Sequence, residues 1–223
     1  MVKITWFGHA AFKIEIANKI VLIDPWLDGN PTSSVKASEI SKADIVFVTH
    51  DHGDHLGEAF TICKKTNANF AAVVELANHA KENGVKNAVG LNFGGSIEID
   101  GVKLSIVPAV HTCSRGAPTG VIIQGEGKTV YHAGDTAFFG DMQFIGKVYK
   151  PDLALIPIGG YYTMDAKEAV EAIKLLKPKA VIPMHYKTFP VLAQSADEFV
   201  RIAKEKVPKV KVVALKPGES YQF

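Results

Sequence analysis

Three histidines and two aspartates fall within a single stretch of six residues, His50-Asp51-His52-Gly53-Asp54-His55. Imidazole nitrogen and carboxylate oxygen are the ligands that zinc prefers, and manganese and ferrous iron accept them as well. Grouping so many of these side chains is costly unless something neutralises and orders them. The stretch therefore predicts a metal-binding loop, and the alternative is a solvated polar loop at the end of a strand.

The spacing within this loop predicts more than one ion. Residues two apart in an extended segment point the same way, so His50 and His52 can converge on one ion. Asp54 and His55 lie beyond the turn at Gly53 and can face a second ion nearby.

One loop does not complete such a site, so further ligands are expected at the ends of other strands. Open α/β sheets place their sites at the carboxyl ends of strands. Each further candidate follows a predicted strand: His111 after Val102 to Val107, Asp135 after Thr129 to His132, and His185 after Ala180 to Pro183.

Short apolar runs and turn residues predict the elements that hold these side chains. The other predicted strands are Lys3 to Phe7, Ala11 to Ile16, Ile20 to Ile23, Ala43 to Thr49, Phe70 to Val74, Ser96 to Ile99, Thr119 to Gln124, Leu153 to Pro157, Val210 to Leu215 and Ser220 to Phe223. Helices are predicted over Leu56 to Lys65, Leu76 to Glu82 and Ala166 to Leu176, with a last one opened by Ser195 to Glu198. Asp165 to Glu168 and Ser195 to Glu198 both resemble capping boxes. Strands and helices alternate around a β-rich middle, which indicates one domain, residues 1–223, with layered sheets and outer helices.

Composition excludes several classes of protein. The net charge of +2 arises from 25 basic and 23 acidic residues, so the chain lacks the strong positive field of a dedicated nucleic-acid binder. Two cysteines, Cys63 and Cys113, do not make a disulfide scaffold. With no signal segment and no apolar run near the roughly 20 residues of a membrane span, we expect a cytoplasmic enzyme without a membrane partner. A homo-oligomer remains open.

The order of the candidate residues resembles the metallo-β-lactamase superfamily over almost the whole chain. Asp24 comes first, followed by the His-x-His-x-Asp-His run, His111, Asp135 and His185. Trp6 to Ala10, Tyr131 to Thr136 and Ile182 to Tyr186 look closer still to metal-dependent hydrolases related to ascorbate-6-phosphate lactonase. This resemblance implies an α/β (α+β) fold, a four-layered αβ/βα sandwich with its site on one edge.

The resemblance also implies a role for each candidate. His50, His52 and His111 would hold one metal, and Asp54, His55 and His185 a second, with Asp135 bridging both. Asp24 would support the histidine loop by hydrogen bonds. Redox di-iron relatives typically have Glu at the position of His52, so this histidine favours hydrolysis.

The expected cofactors are two divalent ions, zinc first and Mn²⁺ or Fe²⁺ as alternatives. Such ions, about 3.5–4 Å apart, can share a hydroxide that attacks a carbonyl or phosphoryl centre. Asp54 is the expected group to orient that hydroxide and relay its proton. The predicted function is hydrolysis of an ester, lactone or phosphodiester of a small molecule; a nuclease and a non-catalytic metal-binding protein are the alternatives.

A few other residues have two interpretations each. His9 either contacts the substrate or the site, or caps the first strand, and His132 is expected to be buried support. Arg115 either pairs with a phosphate or carboxylate of the substrate or is a surface residue. Cys113 is expected to be a small buried thiol. Loops 26–34, 112–119, 159–164 and 186–190 are expected to rim the pocket.

Overall fold

A computed structural model describes residues 1–223 as two seven-stranded sheets flanked by helices. The strands are β1 Lys3–Gly8, β2 Ala11–Ile16, β3 Lys19–Ile23, β4 Ile45–Phe47, β5 Asn69–Val73, β6 Ala88–Leu91, β7 Ser96–Ile99, β8 Val102–Pro108, β9 Thr119–Gly125, β10 Lys128–His132, β11 Leu153–Pro157, β12 Ala180–Met184, β13 Lys211–Val212 and β14 Ser220–Gln222. The helices are α1 Gly53–Leu56, α2 Ala59–Thr66, α3 Val74–Glu82, α4 Met142–Tyr149, α5 Ala166–Leu176 and α6 Asp197–Lys206, with a 3₁₀ turn at Ala37–Glu39. None of the helices is long and apolar enough to span a membrane.

The two sheets repeat one architecture. Their strand orders are β14-β1-β2-β3-β4-β5-β6 and β13-β12-β11-β10-β9-β8-β7. In each sheet an antiparallel meander continues into parallel strands, from β3 to β6 and from β10 to β13. Strand β14 returns to the first sheet and pairs antiparallel with β1. Loops that follow parallel strands therefore gather at one edge of each sheet.

Alternation along the strands divides the core into layers. Val21 and Ile23 of β3 belong to a cluster of 46 buried apolar residues that includes the second sheet and α5. Leu22, between them, points to the opposite face and joins a cluster of 21 residues with α2 and α3. The resulting helix–sheet–sheet–helix arrangement confirms the predicted four-layered fold class.

The helix predicted from Leu56 to Lys65 is divided in two. Its break lies at Gly57, with a φ of +39°, where a Cβ atom would collide with the Cα atom of Trp26. Because the chain at Trp26 approaches so closely, α1 ends at Leu56 and α2 begins at Ala59. The prediction of one continuous helix was wrong. The sequence shows the glycine at position 57 but not the distant backbone whose close approach requires it.

Other differences have similarly local causes. Strand β6 and helix α4 were not predicted; α4 contains Gly146, which packs against the backbone of Leu175 and Leu176. Predicted strands Ala43 to Thr49 and Val210 to Leu215 shorten to β4 and β13. The Asp165 capping box is present, with Oδ1 accepting from the backbone N–H groups of Lys167 and Glu168. At the last helix the predicted box is absent, and α6 begins at Asp197 without a side-chain cap.

Candidate metal centre

The candidate residues from both halves of the chain meet at one edge of the two sheets. The first sheet supplies His9 after β1, Asp24 after β3, and the loop from His50 to His55 after β4. The second sheet supplies three side chains, namely His111 beyond β8, Asp135 beyond β10 and His185 after β12. The topology thus brings together residues separated by up to 176 positions between His9 and His185 (185 − 9).

Three histidines form what we call the first cluster, His50, His52 and His111. Nε2 of His50 lies 2.9 Å from Nδ1 of His52. The His111 ring stands at 5.2 Å from that of His50 and 5.1 Å from that of His52, centroid to centroid. One ligand atom from each residue lies within 4.8 Å of the others, so the three can hold a single ion.

Asp54, His55 and His185 form the second cluster. Their ligand atoms also lie within 4.8 Å of one another, together with one from His9. The rings of His55 and His185 are stacked with centroids 5.8 Å apart. The resemblance implied Asp54, His55 and His185 as one ligand set, and the nearby ligand atom of His9 was not part of that prediction.

Asp135 lies between the two clusters. Its Oδ1 is 3.2 Å from Nε2 of His55. Its Oδ2 is 3.0 Å from Nε2 of His185 and 3.6 Å from Nε2 of His111. The carboxylate therefore has a neighbour in each cluster, as a bridging ligand requires.

These atoms pass a test for a metal centre that is independent of any resemblance. Nε2 of His55, Oδ1 of Asp135 and both ring nitrogens of His185 are buried but have no hydrogen-bond partner. Although His55 and His185 lie near Asp135, the atoms miss hydrogen-bonding geometry, and unpaired buried polar atoms are rare in native structures. Lone pairs that converge without bonding to one another fit a bound cation.

Asp24 orients the histidine loop from behind, through hydrogen bonds. The fully buried carboxylate accepts from the Thr49 backbone N–H at 2.8 Å, the Thr49 hydroxyl at 2.7 Å and Nδ1 of His55 at 2.7 Å. The Thr49 hydroxyl in turn accepts from Nδ1 of His50, 3.0 Å away. These contacts place a proton on Nδ1 of both histidines and make Nε2 the atom that each presents to a metal.

Thr49 is the contributor that sequence reasoning missed. Its hydroxyl connects Asp24 to His50 of the first cluster, and Asp24 itself binds His55 of the second. Asp24 therefore supports a histidine of each cluster. The only signal of Thr49 in the sequence is its position immediately before His50, where it reads as the last residue of a strand.

The electrostatics of the site keep His50 neutral and Asp135 ionised. Burial and the nearby His55 lower the pKa of His50 to about 2. Burial opposes ionisation of Asp135, but His185 and His55 outweigh it and hold the pKa of Asp135 well below its usual range. A neutral histidine and an anionic aspartate are the forms that coordinate metals. Burial opposes protonation of His55, but Asp135 and Asp24 outweigh it and raise the pKa of His55 well above its usual value, so a cation bound at Nε2 of His55 would displace a proton.

His9 lies behind the second cluster and contacts Asp54. Burial and the nearby His185 lower the pKa of His9 to about 4, so its ring is neutral near pH 7. Nε2 of His9 donates to Oδ2 of Asp54 at 3.1 Å, and Nδ1 accepts from the Thr188 hydroxyl at 2.8 Å. Burial opposes ionisation of Asp54, yet this hydrogen bond from His9 holds the pKa of Asp54 well below its usual value.

Three site residues have backbones in the left-handed region. The φ angles of His9, Asp24 and His185 are 53°, 46° and 57°, and all three side chains are buried. This conformation is unfavourable for residues other than glycine, and it persists where the surroundings impose it, often at functional sites.

The remaining candidates lie outside the two clusters. His132 is fully buried and donates from Nε2 to the Ala10 carbonyl at 3.0 Å, a supporting contact between the sheets. The Arg115 guanidinium binds Asp51 at 3.0 Å and does not line the pocket, so its pairing with substrate stays a prediction. Cys113 is partly exposed rather than buried.

A pocket of about 870 Å³ opens above the clusters. Its lining includes five of the candidate ligands, namely His52, Asp54, His111, Asp135 and His185. All four loops expected to rim the pocket contribute to its lining. In chain order they supply Trp26, Thr112, Tyr162, and the pair Phe189 and Pro190. Val191, one residue beyond the last loop, also lines the pocket.

The fold and these clusters define a protein of the metallo-β-lactamase class. The family described as Beta-lactamase superfamily domain matches residues 19–186, and the chain belongs to the metallo-β-lactamase superfamily. A protein of Caldivirga maquilingensis, described as a metal-dependent hydrolase, is 48% identical over 216 residues, covering 96% of this chain and 95% of the relative.

Solved structures support the same class. Igni18, a metallo hydrolase of Ignicoccus hospitalis, is 41% identical with a TM-score of 0.93, covering 100% of this chain and 99% of its own. A candidate Zn-dependent hydrolase of the superfamily from Thermotoga maritima is 29% identical with a TM-score of 0.66, covering 96% of this chain and 98% of its own. The predicted class, a metal-dependent hydrolase, is thereby confirmed, while the relation to ascorbate-6-phosphate lactonase stays a prediction.

Proposed function

We propose that this protein uses two divalent cations, with zinc first and manganese or ferrous iron as alternatives, to hydrolyse an ester, lactone or phosphodiester of a small molecule. The observation that carries the proposal is the position of Asp135 between two clusters of convergent ligand atoms beneath a pocket, with buried atoms of Asp135, His55 and His185 unpaired. His50, His52 and His111 would hold one cation, and Asp54, His55 and His185 the other. When bound, such ions supply an activated water and stabilise negative charge that develops on the substrate oxygen.

Asp54 is the proposed group for handling the proton. It lines the pocket, and its Oδ2 accepts a hydrogen bond from His9. That bond fixes the direction of one carboxylate oxygen, and the other can receive a proton from water and pass it towards the leaving group. No serine or cysteine nucleophile lines the pocket, which fits direct attack by water.

Metal analysis of the purified protein tests the first part of the proposal. We expect about two divalent ions per chain. His52→Ala should lose metal and activity, and Asp135→Ala should do so more completely, because Asp135 neighbours both clusters. His79→Ala, at a surface histidine that pairs with Glu82, is the matched control and should retain both. An intact protein that neither contains nor binds divalent ions would contradict the proposal.

The substrate class needs a separate assay. Bis-p-nitrophenyl phosphate, simple lactones and structured RNA are compared on the metal-loaded protein. Hydrolysis of the small substrates is expected, since the pocket lining has no lysine or arginine to hold a nucleic-acid backbone. Strong RNA cleavage without activity on small substrates would instead establish the alternative, a nuclease.

A further inference from the structure

Five of the residues that line the pocket above the metal clusters carry bulky, largely apolar side chains. We call this set the apolar wall; it consists of Trp26, Tyr162, Phe189, Pro190 and Val191. The rings of Trp26 and Phe189 are stacked, with centroids 5.9 Å apart and planes inclined by 25°. The His9 ring meets Trp26 and Phe189 edge-on, at 5.3 and 5.6 Å. The two aromatic rings are therefore held in place from behind.

Part of this wall is open to solvent at the mouth of the pocket. Tyr162 is 52% exposed and Val191 is 50% exposed. Apolar side chains that converge on a concave site are the usual lining of small-molecule pockets, and about 870 Å³ lies within the range for a medium-sized ligand. Covering these side chains with an apolar group of the substrate removes their surface from water and favours binding.

The charges around the pocket also favour a substrate whose distant part is uncharged. Asp54 and Asp135 are the only residues of the lining with a full charge of fixed sign, and both are negative. Arg115, the nearest candidate cation in the sequence analysis, is bound to Asp51, which also accepts from the Ser114 backbone N–H at 2.8 Å. A phosphate or carboxylate on the distant part of a substrate would therefore meet no protein cation in the pocket.

We infer that the substrate is an uncharged ester or lactone whose apolar group lies against the apolar wall, and that such substrates are preferred to phosphodiesters. The inference rests on the proposed function and narrows it. Water adds across the acyl carbon–oxygen bond: its oxygen joins the acyl carbon, and its proton leaves with the alkoxide. The products are a carboxylic acid and an alcohol, or one hydroxy acid from a lactone.

A chain-length series on the metal-loaded protein tests this inference. The p-nitrophenyl esters of acetate, butyrate, hexanoate and octanoate are compared with bis-p-nitrophenyl phosphate. Burial of each added methylene should raise kcat/KM by about two- to fourfold until the wall is covered. The longer esters should be hydrolysed faster than the phosphodiester.

Variants at the exposed part of the wall separate binding from chemistry. Val191→Ser and Tyr162→Ser should flatten the chain-length series by lowering kcat/KM for the octanoate ester more than for the acetate ester. Val148→Ser is the matched control, because Val148 is 66% exposed on α4 and does not line this pocket. Val191→Lys should shift the ratio of rates towards the phosphodiester by placing a cation at the mouth.

A binding measurement gives a readout without turnover. Alkyl hydroxamates offer a metal-binding head with a tail of variable length, and Trp26 is one of only two tryptophans; the other, Trp6, is buried. The octanoyl compound should change the fluorescence of the protein at a lower concentration than the acetyl compound, and Val191→Ser should reduce this difference.

The possible failures are distinguishable. A flat ester series, or a phosphodiester that is hydrolysed fastest, overturns the inference but leaves the proposed function standing. If the metal-loaded protein hydrolyses no ester, lactone or phosphodiester faster than His52→Ala does, the proposed function fails and the inference fails with it.

Discussion

The first and second clusters differ in how they face solvent. His52 and His111 of the first cluster are only partly buried and line the pocket. His55 and His185 of the second cluster are 0% and 1% exposed, and His9 lies behind them with its ring centroid 4.0 Å from that of His185. The difference is one of degree, because Asp54 and His185 of the second cluster also line the pocket and His50 of the first is fully buried.

The supports of the clusters differ in the same way. Thr49 and Asp24 serve both, because they orient His50 in one and His55 in the other. His9 and Thr188 serve only the second cluster, through Asp54. Substitutions at these positions can therefore test whether the clusters are independent or act as one unit.

The largest expected effects come from removing one ligand of each cluster. His185→Ala should reduce kcat by about a thousandfold, because a cation contributes several kcal/mol to the transition state. His111→Ala should reduce kcat about tenfold less than His185→Ala does, since the His111 side chain is 12% exposed and water can enter to replace the ring. Metal content and kcat are measured for both variants. Equal losses of metal and activity would show that the clusters form one unit.

A smaller effect is expected at the shared support. Thr49→Val removes the hydroxyl that joins Asp24 to His50 and should weaken metal affinity or activity by about 10- to 100-fold. Thr49→Ser keeps the hydroxyl and should remain close to the parent protein. Metal titration followed by calorimetry measures the change. An unchanged affinity in Thr49→Val would mean that Asp24 alone is sufficient.

The smallest effect is expected at His9, as a positioning residue for Asp54. His9→Phe should lower kcat by about tenfold with little change in KM or metal content, because the direction of the Asp54 carboxylate is lost. His9→Gln, which keeps a donor, should recover part of the activity, and a shifted pH profile of kcat should accompany the loss. A variant that loses a metal ion instead would make His9 a ligand of the second cluster.

The sequence predicted those parts of the site that are local or that mark the ends of strands. The run from His50 to His55 is visible because its five polar side chains fall within six residues, and His111, Asp135 and His185 each follow an apolar run. The pairing of His9 with Asp54 and Thr188 could not be predicted, since these contacts span 45 and 179 residues. They exist only because β1 and the loop after β12 reach the same edge.

The fold shows a similar limit. Strands with alternating or continuous apolar residues were predicted almost to their ends, as for β2, β7 and β11. The elements that were missed or divided contain glycines at which a backbone segment distant in sequence leaves no room for a Cβ atom. Gly146 of α4 and Gly57 between α1 and α2 are examples. A glycine in the sequence weakens a helical pattern, while in the structure it permits close packing.

The close approach at Gly57 has a consequence for how this pocket can diverge among relatives. Gly57 ends the helix that carries Asp54 and His55, and Glu58 beside it binds the backbone N–H groups of Leu27 and Asp28. The Trp26 segment is thereby fixed to the loop from His50 to His55, and a side chain at position 57 would disturb both at once. Tyr162 and the segment 189–191 form no backbone hydrogen bond with that helix, although the Phe189 ring stacks on Trp26. Evolution of new substrate preferences is therefore expected to proceed through that half of the pocket, with the Trp26 half held constant.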